Sequence, residues 1–157
     1  METFEALGNW QKIDEKFDES IIKQVNDATC VAAVGEMLAT FYGLNLSQSE
    51  ILEGIGVWSN AESLAKFLNS KENRNNIEWY GGNFPQEPKY IASISTKQKW
   101  IVMLREGRWD GHAVLIDGID QDEKIIIKDP FDQTTYKMDV DELYNVLSEF
   151  VLRRKKQ

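Results

Sequence analysis

A change of period part-way along the chain limits its fold more than any other feature. Up to about residue 76, apolar side chains recur every three or four positions; beyond it they gather in short runs rich in β-branched and aromatic residues. In the first part, Cys30, Val34, Met37, Leu38 and Phe41 share one helical face, with Gly43 as a C-terminal stop. Ser47 with Glu50 makes a capping-box pattern ahead of Ile51 and Leu52, and Ser59 precedes Leu64, Phe67 and Leu68, so two further helices follow. Phe4, Leu7, Trp10, Ile13 and Phe17 predict another short helix within residues 1–22.

In the second part, residues 77–80, 100–104, 113–116, 125–127 and 134–138 read as strands of an antiparallel sheet. Turn signals at 120–123 and 129–133 join successive pairs. Val140, Leu143, Tyr144, Leu147, Phe150 and Val151 then predict a closing helix over about 140–152, with Asp139 and Glu142 at its start. Helices followed by strands is an α+β order. With no repeat and no linker-like stretch, the expectation is a single domain over 1–157, helical to about residue 75 and sheet-forming over about 76–140.

Composition excludes several classes. One cysteine rules out an internal disulfide, and one cysteine with one histidine rules out a zinc site of the Cys/His type. The formal net charge of -8 speaks against a grip on phosphate backbones and hints at a basic partner. The basic run Arg153, Arg154, Lys155 and Lys156 reads as a solvated tail that complements the C-terminus of the closing helix. Asp117, Asp120, Asp122 and Asp132 lack the loop pattern of a calcium site, and Gly81-Gly82 is a turn rather than a phosphate loop. Trp79, Tyr80, Trp100 and Trp109 read as core aromatics, with a substrate cleft as the alternative. No stretch approaches a membrane span, and the N-terminus lacks the basic and apolar regions of a signal peptide, so a cytoplasmic location is expected.

The residues able to carry chemistry are few. Cys30 stands where a helix begins, a position at which backbone N–H groups and the helix dipole favour the nucleophilic thiolate; the plain alternative is a small core residue. His112 opens a strand run, and Asp129 closes the next one just before Pro130. A hairpin of that length brings the two together, where the carboxylate can accept from the imidazole and fix its tautomer. Gln24, a short stretch before Cys30, can donate its amide to an oxyanion alongside the Cys30 N–H. Taken singly, His112 is a structural histidine, Asp129-Pro130 a turn and Gln24 a polar loop residue.

Together, Gln24-x5-Cys30 opening an apolar helix, Gly111-His112-Ala-Val-Leu-Ile-Asp-Gly118 and Ile-Ile-Ile-Lys-Asp129-Pro130 resemble the papain-like cysteine peptidases. Among these they are most similar to the bacterial bacteriocin-processing peptidase domains of peptide-exporting transporters. The resemblance covers roughly residues 20–152. It implies a papain-like fold in which the nucleophile helix packs on the sheet, with Cys30 as nucleophile, His112 as base, Asp129 as orienter and Gln24 as oxyanion donor. It also implies a peptide or protein substrate, no metal and no organic cofactor. Thr29-Cys30-Val31 replaces the Asp-Cys-Gly usual in the transporter-linked domains. Papain-fold effector and toxin modules offer other readings: a deamidase or acyltransferase, delivery to a target cell, binding by an inhibitor or immunity protein, or an inactive peptide-binding module.

Overall fold

The computed structural model describes residues 10–26, 29–57, 59–84, 87–106 and 109–156. Within them, β1 (Ile13–Phe17), β2 (Ile77–Asn83), β3 (Trp100–Glu106), β4 (Trp109–Ile119), β5 (Lys124–Asp129), β6 (Thr134–Asp139) and β7 (Leu147–Lys155) form one sheet. Its order is β1-β6-β5-β4-β3-β7-β2, and every pairing is antiparallel. The helices are α1 (Cys30–Phe41), α2 (Gln48–Ile55), α3 (Ala61–Lys71), α4 (Pro88–Lys97) and α5 (Val140–Val146). This mixed helix-and-sheet architecture is the expected α+β class.

The alternation of strand side chains sorts the core into two layers. Ala113 and Leu115 of β4 pack with Val34, Leu38, Ile51 and Leu64 from α1, α2 and α3. Val114 and Ile116 point the other way, to Ile125, Ile127, Tyr136, Leu143 and Ile91. Because both faces of the central strands are covered, they are apolar at nearly every position.

Local chemistry explains most element boundaries. The Ser47 side chain accepts from the Glu50 N–H while the Glu50 carboxylate accepts from the Ser47 N–H, a complete capping box for α2. Asn60, one residue after the expected Ser59, caps α3 through its side-chain oxygen. Gly43 ends α1 with φ of 83°, a left-handed conformation suited to glycine. At the sheet edge, Asn69 of α3 donates to the Trp79 carbonyl and accepts from the Trp79 N–H at 2.9 and 2.7 Å, occupying backbone groups on the open side of β2.

Four expectations are corrected. Residues 13–17 form strand β1 rather than a helix; Phe4 and Leu7 lie outside the described residues. The closing helix stops at Val146, and residues 147–155 form β7, inserted between β3 and β2. Phe150 and Val151 face opposite layers of the core, and a strand buried on both sides mimics helical spacing. The basic run is therefore no helix tail: Arg153 pairs with Glu72 at 3.3 Å and lies 4.4 Å from the Tyr42 ring, and Arg154 pairs with Glu78 at 3.3 Å. Gly81-Gly82 sits within β2, where any Cβ on Gly81 would meet the Ala61 carbonyl of α3 at 2.4 Å. Helix α4 had no sequence-based expectation. Trp79 and Trp100 are buried and Tyr80 exposed, while the Trp109 side chain lies outside the described part.

Candidate active site

The site centres on His112, which is the fourth residue of β4 rather than opening the strand as expected, because β4 begins at Trp109. Cys30, the first residue of α1, approaches from the helical side, and the Ala113 N–H donates to its sulfur at 3.4 Å. His112, the neighbouring residue on β4, hydrogen-bonds to Cys30 and places its Nε2 2.8 Å from Asp129 Oδ1. Since Nε2 is committed to the carboxylate, Nδ1 is the nitrogen left for Cys30. All three residues are buried, with Cys30 at 8%, His112 at 5% and Asp129 at 3% exposure.

The register places the carboxylate. Leu115 pairs with Lys128 across β4 and β5, so Asp129 lies near the end of β4 that carries His112. Asp129 closes its strand in a side-chain-stabilised turn, its Oδ1 also accepting from the Phe131 N–H at 3.0 Å. Its Oδ2 accepts from the Tyr136 hydroxyl at 2.9 Å, and Trp10 Nε1 donates to that hydroxyl at 3.2 Å. Trp10 stacks on the His112 ring at 6.0 Å with an interplanar angle of 13°, and Phe131 meets the imidazole edge-on at 6.4 Å.

Electrostatics follow from this enclosure. Burial pushes His112 towards its neutral form, but the Asp129 charge and hydrogen bond, with a contribution from Cys30, raise its pKa to about 10. Burial likewise penalises the Asp129 anion, yet the His112 charge and hydrogen bond, the Phe131 N–H and Tyr136 hold its pKa below the ordinary carboxylate value. At neutral pH the site holds an imidazolium against a carboxylate, with the Cys30 sulfur beside it.

Gln24 is buried on a loop tied to the same turn, its N–H donating to the Pro130 carbonyl at 3.0 Å. Its Nε2 donates to the Asn26 carbonyl at 2.9 Å, while its Oε1 is buried with no hydrogen-bond partner among the described residues. Gln48 clasps this loop from both sides of Gln24: it donates to the Lys23 carbonyl and accepts from the Val25 N–H, each at 3.1 Å. Its own backbone N–H is held by Glu36 of α1 at 2.6 Å.

The structure thus gathers Cys30, His112 and Asp129 at one point and places Gln24 on the loop bonded to the Asp129-Pro130 turn. Sequence reasoning missed Trp10, Tyr136 and Gln48. Gln48 was hidden inside a capping box, and an aromatic in a strand run carries no sign that its hydroxyl serves a carboxylate.

Residues 18–157 match the Peptidase C39 family. The chain belongs to that family of cysteine peptidases. This C39 peptidase is 32% identical over 147 residues to Cysteine protease effector 1 of Escherichia coli O1:K1:H7, an alignment covering 90% of the chain and 28% of that relative's length. Its fold is similar to the peptidase domain of Streptococcus ComA, a bifunctional ABC transporter involved in quorum sensing. That match has a TM-score of 0.67 and 18% identity, covering 87% of this chain and 97% of that domain. A double glycine motif protease from an AMS/PCAT transporter, solved in complex with its leader peptide, matches with a TM-score of 0.66 and 18% identity over 97% of this chain and 96% of that one. The papain-like fold expected from the motifs is the fold observed. No described helix is long and apolar enough to cross a membrane.

Proposed function

We propose that this C39 peptidase hydrolyses peptide bonds through a Cys30 thioester, as one domain spanning residues 1–157. The Cys30 thiolate attacks the scissile carbonyl carbon, and the oxyanion formed accepts from the Gln24 amide and the Cys30 N–H. His112, charged at neutral pH, gives its proton to the leaving amine; the tetrahedral species collapses to the thioester. Neutral His112 then takes a proton from water as it attacks the thioester, and acid product and Cys30 thiolate separate. Asp129 holds the imidazole in the tautomer this cycle needs.

The observation that carries the reading is the buried, hydrogen-bonded Cys30–His112–Asp129 set at the start of α1. Gln24 is supported by its burial and by its second amide hydrogen, which the bond to Asn26 leaves available. A protein target in another cell is supported by the similarity to Cysteine protease effector 1. An inhibitor or immunity protein covering the site would belong to that role.

The test is incubation of the parent protein and Cys30→Ala with a peptide library from digested cell protein and with undigested extract, followed by mass spectrometry. New peptide termini produced by the parent alone support proteolysis. Intact proteins heavier by a single mass unit redirect the reading to glutamine deamidation, and equal cleavage by Cys30→Ala overturns it.

A further inference from the structure

We propose that Tyr136 and Trp10 are positioning residues of this site, forming one directed hydrogen-bond chain from the indole through the hydroxyl to Asp129 and on to His112. The proposal rests on the proposed roles of His112 and Asp129 and extends them.

The direction of the chain is dictated by donor chemistry. An indole N–H only donates, so the Tyr136 oxygen must accept from Trp10 Nε1 at 3.2 Å. The Tyr136 proton is then free for one partner, and it goes to Asp129 Oδ2 at 2.9 Å. With Oδ1 already accepting from His112 Nε2 and the Phe131 N–H, both carboxylate oxygens are anchored and the group cannot rotate without losing a buried bond. Burial, and the charge of Asp129, push the Tyr136 hydroxyl well above its ordinary pKa, so it stays protonated and donating.

The chain also closes on itself spatially. The indole that orders the Tyr136 hydroxyl is the ring that stacks on His112, so one side chain fixes the far end of the relay and the face of the imidazole. Tyr136 faces Asp129 because it sits on β6 opposite Ile127, with Asp129 opposite Thr134, on the same side of the hairpin. Other charged groups near the chain are Lys12, with Nζ 5.0 Å from the Tyr136 ring, and Asp132, whose carboxyl burial raises above its ordinary value. Neither lies in the line from hydroxyl to imidazole.

The sole histidine makes the test direct, because every imidazole signal in an ¹⁵N-labelled sample belongs to His112. In Tyr136→Phe, losing a donor to the charged carboxylate raises the Asp129 pKa, so the acid step sensed by the His112 ring moves to higher pH by about one unit. The downfield Nε2–H resonance should broaden, and iodoacetamide alkylation of Cys30 at pH 6 should slow roughly tenfold, far less than the roughly 10⁴ an orienting carboxylate can carry. Trp10→Phe keeps a stacking ring but removes the N–H donor. It should move the same signals in the same direction by less, and serves as the test if Tyr136→Phe does not fold.

An unmoved acid step, an unchanged Nε2–H resonance and parental alkylation in folded Tyr136→Phe, or in Trp10→Phe where Tyr136→Phe does not fold, would overturn the relay. If His112→Ala also left alkylation unchanged, the fault would lie with the triad reading itself; slow alkylation in His112→Ala alone would isolate the failure to the relay.

Discussion

His112 Nε2 and Asp129 Oδ1 lie 2.8 Å apart in a setting that buries both side chains almost completely. A pair so enclosed links folding to pH from both sides. The folded His112 pKa of about 10 stands above the ordinary 6.5, so its contribution is full below about pH 6.5 and is lost as pH rises to about 10. The folded Asp129 pKa lies below its ordinary 3.8, so its contribution holds above that value and fades as pH falls. Melting temperature of the parent minus that of His112→Gln should therefore be greatest between about pH 4 and pH 6.5 and shrink on either side. A difference that grows from pH 7 to 10 would refute this linkage.

Why that pair was legible in the sequence, and its supports were not, has a physical reason. Cys30 and Asp129 stand at element ends, where a helix start and an Asp-Pro turn are each marked by local chemistry, and His112 precedes the apolar run 113–116 of β4. Helix α2 was equally readable through Ser47 and Glu50. Strand β7 was not, because burial on both faces made residues 147, 150 and 151 apolar in a helical rhythm. Trp10 bonds to Tyr136 across 126 residues of chain and Gln48 to Val25 across 23, pairings that leave no trace in local spacing; Tyr136 lies only 7 residues from Asp129, but an aromatic in a strand run does not announce what its hydroxyl serves.

Gln48 should govern the loop that carries Gln24. Gln48→Ala removes the bonds to the Lys23 carbonyl and the Val25 N–H, each worth about 0.5–1.5 kcal/mol. With a cleavable peptide in hand, Gln24→Ala is expected to lower kcat by about 10²–10³ through loss of an oxyanion donor. Gln48→Ala should lower kcat less than Gln24→Ala, with KM little altered, and the double variant should match Gln24→Ala alone. Additive losses would place Gln48 outside the oxyanion loop.

Adjacent glycines of β2 should behave differently. A Cβ on Gly81 would lie 2.4 Å from the Ala61 carbonyl oxygen and 2.8 Å from its carbon, both backbone atoms at the start of α3. On Gly82 its nearest contact is the Tyr80 hydroxyl at 4.0 Å. Gly81→Ala should sharply lower the urea midpoint, whereas Gly82→Ala should leave the unfolding free energy within about 0.5 kcal/mol of the parent. Equal midpoints for the two variants would show that α3 is not seated on β2 as described.

Removing the Trp10 indole should damage the site without damaging the fold. The C39 match begins at residue 18, whereas the indole that stacks on His112 belongs to Trp10. A chain starting at residue 18 also loses β1, so the comparison to make is Trp10→Ala in the full chain. Far-ultraviolet circular dichroism should match the parent while alkylation of Cys30 slows by at least the factor seen in Trp10→Phe.

That placement of Trp10 bears on how the catalytic unit is delimited. The matched stretch contains Cys30, His112 and Asp129, but the ring lying over the His112 imidazole comes from chain ahead of it, on a segment stitched to the sheet through β1 and β6. How dry and how tightly held this imidazole is therefore depends on what the segment ahead of residue 18 lays across it.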